Sequence, residues 1–400
     1  MSASFDTAVV RRAFARFLDH DPDRLHVAAH SHHPWPDVTY HAHEQAWVDA
    51  AARHDHKWDH IFGTVLPEFQ GHVARRLGLP DPGTIAIAPN THELVVRVLS
   101  CLTVPLDSMP VRVLTTDAEF HSFARQAARL EEVGLLDVDR VAAQPFDTFL
   151  ERFETSLDRN GYDLVYVSQV HFDSGYVVPD LVGLVEAVED DDTYIVIDGY
   201  HGYLALPTDL RRIADRAFYT SGGYKYAMAG EGSAFLHCPP DYGRRPAFTG
   251  WYAGFSSLAD ASGEQVAYGI DGSRFLGATF DPSGLYRANA VHRWLDAVGL
   301  DAATIHAHVR DLQRRFVAMA EGRSAREELV AGLLPVDVTT ERGNFLTFVT
   351  DRAAELEEAL AKRNVIVDHR RDRLRFGFGI YHQPRDLEVL WQRLDDVLGT

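Results

Sequence analysis

The chain has 400 residues, 46% of them hydrophobic, and carries 58 Asp and Glu against 39 Lys and Arg for a net charge of −19. That length can bury a large core and exceeds one ordinary domain, while the acidic balance excludes a nucleic-acid partner, which needs a basic face. No apolar run reaches the ~18 residues of a membrane span.

The first residues, MSASFDTAVVRRAFARFLDHD, lack the apolar centre of a signal peptide. Cys101 and Cys238 both lie in apolar surroundings and read as free thiols of a reducing compartment. The expected location is therefore the cytoplasm. Apolar periodicity predicts helices over residues 8–18, 40–53 and 66–77. Between the first two lies the histidine-rich segment LHVAAHSHHPWP at 25–36. From about residue 84 to about 240 short apolar runs recur, at 84–88, 111–115, 164–168, 194–197, 217–220 and 234–237. Helix-like stretches such as 93–102 and 181–188 separate them. Such alternation predicts an α/β domain with a mainly parallel sheet flanked by helices, whose ligands bind outside the carboxyl ends of the strands. Residues 248–282, rich in Gly, Ser and aromatics, read as a long functional loop. A long helix over 285–320, broken near Gly299, and strands at 345–349, 365–367 and 374–378 with two flanking helices predict a smaller C-terminal α+β domain. There is no internal repeat and no low-complexity tract.

The stretch 194–226, YIVIDGYHGYLALPTDLRRIADRAFYTSGGYKY, organises the rest. Its first run ends in Asp198 and its second opens into Gly222-Gly223-Tyr224-Lys225-Tyr226, so two adjacent strands would bring an acid and an amine to one end of the sheet. Lysine is rare here, with Lys57, Lys225 and Lys362 the only three in the chain. A lysine kept between tyrosines where arginine serves elsewhere suggests amine chemistry, because a desolvated lysine can lose its proton and attack a carbonyl, and a guanidinium cannot. Asn90-Thr91-His92-Glu93, at the turn into the helix after the first sheet strand, is a candidate phosphate cradle, since helix N-termini present free N–H groups; a plain N-cap is the alternative.

The segments Asp198-Gly-Tyr-His201, Tyr224-Lys225-Tyr226 and Arg375-Phe376-Gly377-Phe378 together resemble fold type I pyridoxal 5′-phosphate (PLP) enzymes of the class V aminotransferase group, and within it the kynureninases. The resemblance runs from about residue 25 to 398 and is thin in the first quarter. It implies a large PLP-binding domain over 41–284, a small domain over 285–400, and an N-terminal segment, 1–40, that contributes to the small domain and shapes the mouth of the site. By this resemblance Lys225 holds the cofactor, Asp198 faces its ring nitrogen, and His201 lies near its ring oxygen or phosphate. Phe120 clamps the ring, as phenylalanine does in kynureninases, and Ser122 keeps the hydroxyl that follows while the family's acid is replaced by Phe123. Tyr224 joins Thr91 and His92 as a phosphate ligand. Trp251 and Thr279 reach the phosphate of a neighbouring subunit, so the implied unit is a homodimer. Arg375 holds the substrate carboxylate, and His30 and His32, in place of the family's small and amide residues, line the substrate's entrance.

The expected activity is kynureninase-like chemistry on an amino acid, with Cα deprotonation followed by Cβ–Cγ hydrolysis or β-elimination such as C–S lysis. An aminotransferase is the alternative. A metal-dependent hydrolase is a rival from another class, suggested by 21 histidines and by the spacings His30-x-His32-His33 and His54-x-His56, though it leaves Lys225 and Arg375 without a role. A non-catalytic binding protein would have no need of the amine.

Overall fold

Seven strands build the central sheet of the computed structural model, which describes residues 6–103, 110–159, 161–260 and 266–399. They are β1 (Ile85–Ala88), β2 (Val111–Thr116), β3 (Leu136–Val141), β4 (Leu164–Ser168), β5 (Tyr194–Asp198), β6 (Phe218–Ser221) and β7 (Ala234–His237), in the spatial order β1-β7-β6-β5-β4-β2-β3. Strands β4, β5 and β6 read as unbroken apolar runs because helices cover both faces of the sheet. All their residues are buried except Asp198, which is half-buried.

Five neighbouring strands, β3 to β6 with β2, pair in parallel, and only β7 runs antiparallel to both its neighbours. The link from β6 to β7 carries the lysine loop and no helix, and a return without a crossover helix favours an antiparallel partner. Helices Thr91–Thr103, His121–Glu132, Phe149–Arg159 and Leu181–Glu186 follow β1, β2, β3 and β4 in turn. The mainly parallel α/β sheet expected from the alternating runs is thus present. Strand β3 was not among the expected runs. It sits at the sheet edge with a mixed pattern, LDVDRV, in which Leu136, Val138 and Val141 are buried while Asp137, Asp139 and Arg140 are exposed.

The larger hydrophobic core joins this sheet to helices Leu66–Leu77 and Ser283–Ala297, through Leu285, Val291 and Leu295 of the latter. Helix Val38–Arg53 packs on Ser283–Ala297. The expected long helix is two, Ser283–Ala297 and Ala302–Ala318, separated where Gly299 takes a left-handed φ of 70°, a conformation glycine adopts without steric cost.

A second core gathers around Phe316, Phe348, Phe376 and Trp391. It underlies an antiparallel sheet of Asp368–Arg370, Arg373–Gly377, Phe345–Val349 and Leu333–Leu334, in that order, with helices Ala353–Ala361 and Pro384–Leu398 beside it. The N-terminal segment joins this part of the molecule, since Leu25–His26 pairs in parallel with Val365–Ile366. In the expected loop 248–282, short 3-10 turns form at Trp251–Asp260 and Gly272–Phe275; its residues 261–265 lie outside those described. Among the described residues no helix is long and apolar enough to cross a membrane.

Candidate active site

Strands β5 and β6 are parallel neighbours, with Asp198 opposite Thr220. Their carboxyl ends therefore open side by side, and the loop after β6 brings Lys225 back over the end of β5. A cavity of about 440 Å³ lies there, lined by Thr91, His92, Phe120, Ser122, Asp198, His201, Tyr224 and Lys225 among others. Its wall comes from the five loops that follow β1, β2, β4, β5 and β6.

The lysine loop is held tightly. The carbonyl of Tyr224 accepts from the backbone N–H of His33 at 3.0 Å, and the Tyr226 hydroxyl donates to the carbonyl of Asn344 at 2.8 Å. The loop is thereby fixed between the N-terminal segment and the small sheet. Lys225 is 5% exposed; Lys57 is half-buried and Lys362 exposed. Its Nζ lies 2.9 Å from His201 Nε2 and 4.8–5.8 Å from the ring centroids of Tyr200, Phe120 and Tyr224. Burial pushes the ammonium down to about 7, with Asp198 opposing and Arg375 adding to the shift. A substantial fraction of the amine is therefore uncharged, and nucleophilic, near neutral pH.

Asp198 Oδ1 accepts from the Tyr200 N–H at 2.9 Å and Oδ2 from the Tyr166 hydroxyl at 3.2 Å. Burial raises its carboxyl, against the lowering effects of the Tyr200 N–H, Lys225 and Tyr166. A carboxylate so placed would gain from a further cation in the cavity. His201 is buried and kept neutral, by burial first and then by Lys225. Its Nδ1 has no partner, an orphaned polar atom that a bound group would satisfy. At the other end of the cavity Asn90 caps the helix Thr91–Thr103 by accepting from the Glu93 N–H at 3.0 Å, and Thr91 and His92 face the space before it. Phe120 precedes the helix His121–Glu132 and meets Phe172 edge-on at 5.5 Å.

Other expected site residues lie elsewhere. His32 is exposed and stacks on Tyr224 at 5.1 Å, outside the lining. His30 is fully buried and turned away from the cavity. It stacks on Phe345 at 4.8 Å, and its Nε2 bonds Asp368 Oδ1 at 2.8 Å. Arg375 is also buried, behind the cavity wall; its Nε and Nη2 meet the two oxygens of Asp368 at 3.0 and 2.5 Å, and its Nη1 donates to the carbonyl of Phe172. Trp251 and Thr279 are exposed and do not line this cavity. His54 and His56 are exposed, and among the described residues no three His, Cys, Asp or Glu side chains converge as a metal site requires.

Sequence reasoning missed several neighbours of the site. Glu119, 4% exposed, accepts from the Ser168 hydroxyl at 2.5 Å, the Thr116 hydroxyl at 2.7 Å and the Ser168 N–H at 3.2 Å. Burial lifts its carboxyl to about 7, with the two hydroxyls opposing and Asp198 adding to the rise. The signal available was its place beside Phe120. Tyr166, Ser168, Tyr200 and Phe172 also line the cavity, as strand-end and loop residues with no motif of their own.

An acid and a buried amine at neighbouring strand ends, an aromatic ring beside the amine and a helix N-terminus fit a planar pyridinium that bears an aldehyde and a phosphate. Fold and site define a fold type I PLP-dependent enzyme. The sequence profile of the family described as aminotransferase class-V matches residues 26–369, and the chain belongs to that family. Kynureninases from Burkholderia mallei and Burkholderia pseudomallei are 29% identical to it over 241 residues, covering 58% of this chain and 56% of theirs. The match thus spans little more than half the length of these curated relatives. A cysteine desulfurase from Thermococcus onnurineus superposes over 100% of this chain and 99% of its own, with a TM-score of 0.81 at 16% identity. The cystine C-S lyase C-DES, in complex with cysteine persulfide, covers 93% of this chain and 97% of its own, with a TM-score of 0.74 at 16% identity.

Proposed function

We propose that the chain is a kynureninase-like PLP enzyme that removes a proton from Cα of an amino acid and then acts at the β-carbon, by Cβ–Cγ hydrolysis or by loss of a β-substituent. The observation that carries this reading is Lys225. A buried amine with its proton held loosely, between Phe120 and His201 and beside Asp198, has the setting that carbonyl capture needs. The kynureninase relatives, and phenylalanine rather than histidine at position 120, support the β-carbon assignment.

When bound, the cofactor supplies a carbonyl that captures amines and a ring that takes up negative charge from the neighbouring carbon. Lys225 is the residue to hold that carbonyl and, once displaced, to accept and return a proton at Cα. Asp198 would keep the ring nitrogen protonated, a role for which a carboxylate fixed by Tyr166 and the Tyr200 N–H is suited. Thr91, His92 and the N-terminal turn of Thr91–Thr103 would bind the phosphate. Phe120 would cover the ring and exclude water from that face. A reaction that parked sulfur on a protein thiol is disfavoured, because Cys101 and Cys238 are both buried and line no part of the cavity. Burial moreover pushes the Cys101 thiol up to about 12 and that of Cys238 higher still.

The test is the near-ultraviolet and visible absorbance of the purified protein and of Lys225→Ala, with and without L-kynurenine. An imine band present in the wild type and lost or displaced in the variant is the expected result, and conversion of kynurenine to anthranilate would fix the substrate. Absence of the band after PLP is supplied would sink the assignment. The exposed Trp251 and Thr279 support a dimer in which they complete the partner's phosphate site. In that case mixing inactive Lys225→Ala with a Trp251→Ala variant of reduced PLP affinity should restore partial activity, and a monomer by sedimentation would refute it.

A further inference from the structure

Strands β1 and β7 pair antiparallel up to Ala88 opposite Ala234, so the chain leaving β1 and the chain entering β7 cross the same end of the sheet. Thr91 and Glu231 each stand three residues from that last pair. An acid is thereby brought level with the phosphate cradle. Both residues line the cavity, and Glu231 is exposed at its rim. The backbone just before Glu231 packs on the lysine loop, where the Gly230 carbonyl lies 2.5 Å from the place a Cβ on Gly223 would take. Glu231 is also within electrostatic reach of Tyr224, whose phenol is pushed up to about 12 by burial first and then by Asp198 and Glu231.

A phosphate brings up to two negative charges into this end of the cavity. Among the described residues the lining holds no arginine, and its one lysine, Lys225, is the amine that takes the carbonyl. What faces the phosphate is then the hydroxyls of Thr91 and Tyr224, the His92 ring and the free N–H groups of the helix Thr91–Thr103, none of them a permanent cation. Trp251 and Thr279, proposed to arrive from a partner, add no cation either. Arg287 is within electrostatic reach of Glu231, but it does not line the cavity and donates to the carbonyls of Ala229 and Glu231. We propose that Glu231 sets the hold on the cofactor, as an acid at the edge of the cradle that weakens phosphate binding and keeps the cofactor exchangeable. The inference rests on the reading of the cavity as a PLP site.

The test uses the full chain freed of cofactor and two probes, PLP and pyridoxal, which carries a hydroxyl where PLP carries its phosphate. Each Kd is measured by equilibrium dialysis and by the imine band. At low salt PLP should bind Glu231→Gln about three- to tenfold tighter than wild type, and Glu231→Lys tighter again, the scale of a partly solvated charge repulsion. Pyridoxal should change less than about twofold in either variant. In about 1 M salt, where screening acts within ~3 Å, the gain for PLP should fall below about twofold. A purely structural role for Glu231 would weaken both probes together and ignore salt. No gain in Glu231→Gln, a gain shared by pyridoxal, or a gain untouched by salt overturns the proposal. Failure of the PLP reading is seen separately, as a wild type with no imine band from either probe.

Discussion

Lys225 Nζ sits 2.9 Å from His201 Nε2, and its other close neighbours are the faces of Tyr200, Phe120 and Tyr224. An ammonium in that setting has a single uncharged hydrogen-bonding partner and little water, which is why burial lowers it from 10.5 to about 7. Between those two values the unfolded chain holds a proton that the folded, cofactor-free protein does not. Stability contributed by this group is therefore full above the unfolded value and lost as pH falls through the folded one. Urea unfolding of the cofactor-free protein between pH 7 and 10 should show a rise of up to about 1.4 kcal/mol per pH unit from this group. Lys225→Met should remove that component, and an identical slope in the variant would contradict it.

Glu119 contributes in the opposite sense on the acid side. Its carboxyl is raised from 4.5 to about 7, so the folded state holds a proton that the unfolded chain has lost. Its stabilisation is complete below the unfolded value and disappears as pH rises through the folded one. Glu119→Gln keeps the shape and removes the titration. Its unfolding free energy should fall less than that of the wild type between pH 4.5 and 7, and parallel curves would refute this assignment.

Gly223 is a point of close backbone approach in the lysine loop. A Cβ there would come within 2.1 Å of Ser233 Oγ and 2.5 Å of the Gly230 carbonyl, and a backbone atom cannot step aside as a side-chain end can. Gly223→Ala should shift the loop two residues before Lys225 and weaken PLP binding about tenfold or more, ~1.4 kcal/mol. Gly71→Ala, where nothing lies within 4 Å, is the control and should leave PLP affinity unchanged. Equal affinities in the two variants by equilibrium dialysis would defeat the prediction.

Trp391 anchors the smaller core. It is fully buried, stacks on Phe316 at 4.4 Å and donates from Nε1 to the Phe316 carbonyl at 2.9 Å. Trp391→Ala removes the ring and the bond together and should cost about 3–5 kcal/mol. Denaturant titration checks this, and a loss under about 1 kcal/mol would mean the core closes over the gap.

The buried strands were legible because both faces are covered and the sequence has to be apolar throughout. Leu164–Ser168 and Ala234–His237 have the bounds their composition suggests. Leu136–Val141 was not legible, because an edge strand alternates with charge and resembles a loop. Strand direction was not legible either, and β7 is the case in point. In the site, Asp198 and Lys225 could be seen because each ends or follows a strand with a motif around it. Glu119, Tyr166 and Ser168 meet only after β2, β4 and β5 are aligned. Asp368 is hidden for a related reason: it reaches Arg375 through hairpin register, which no local spacing advertises. His30 was read as an entrance residue, but the need to satisfy the buried Asp368 carboxylate turns it inward.

The burial of Lys225, set against the outlying positions of Lys57 and Lys362, also makes the protein convenient to map chemically. Reagents too bulky to enter the cavity would modify the other two and leave the cavity lysine intact. Reductive trapping of an aldehyde would select Lys225 instead. With so few lysines, one peptide digest would separate the two kinds of product by mass, so occupancy of the cavity could be followed in crude mixtures without any assay of turnover.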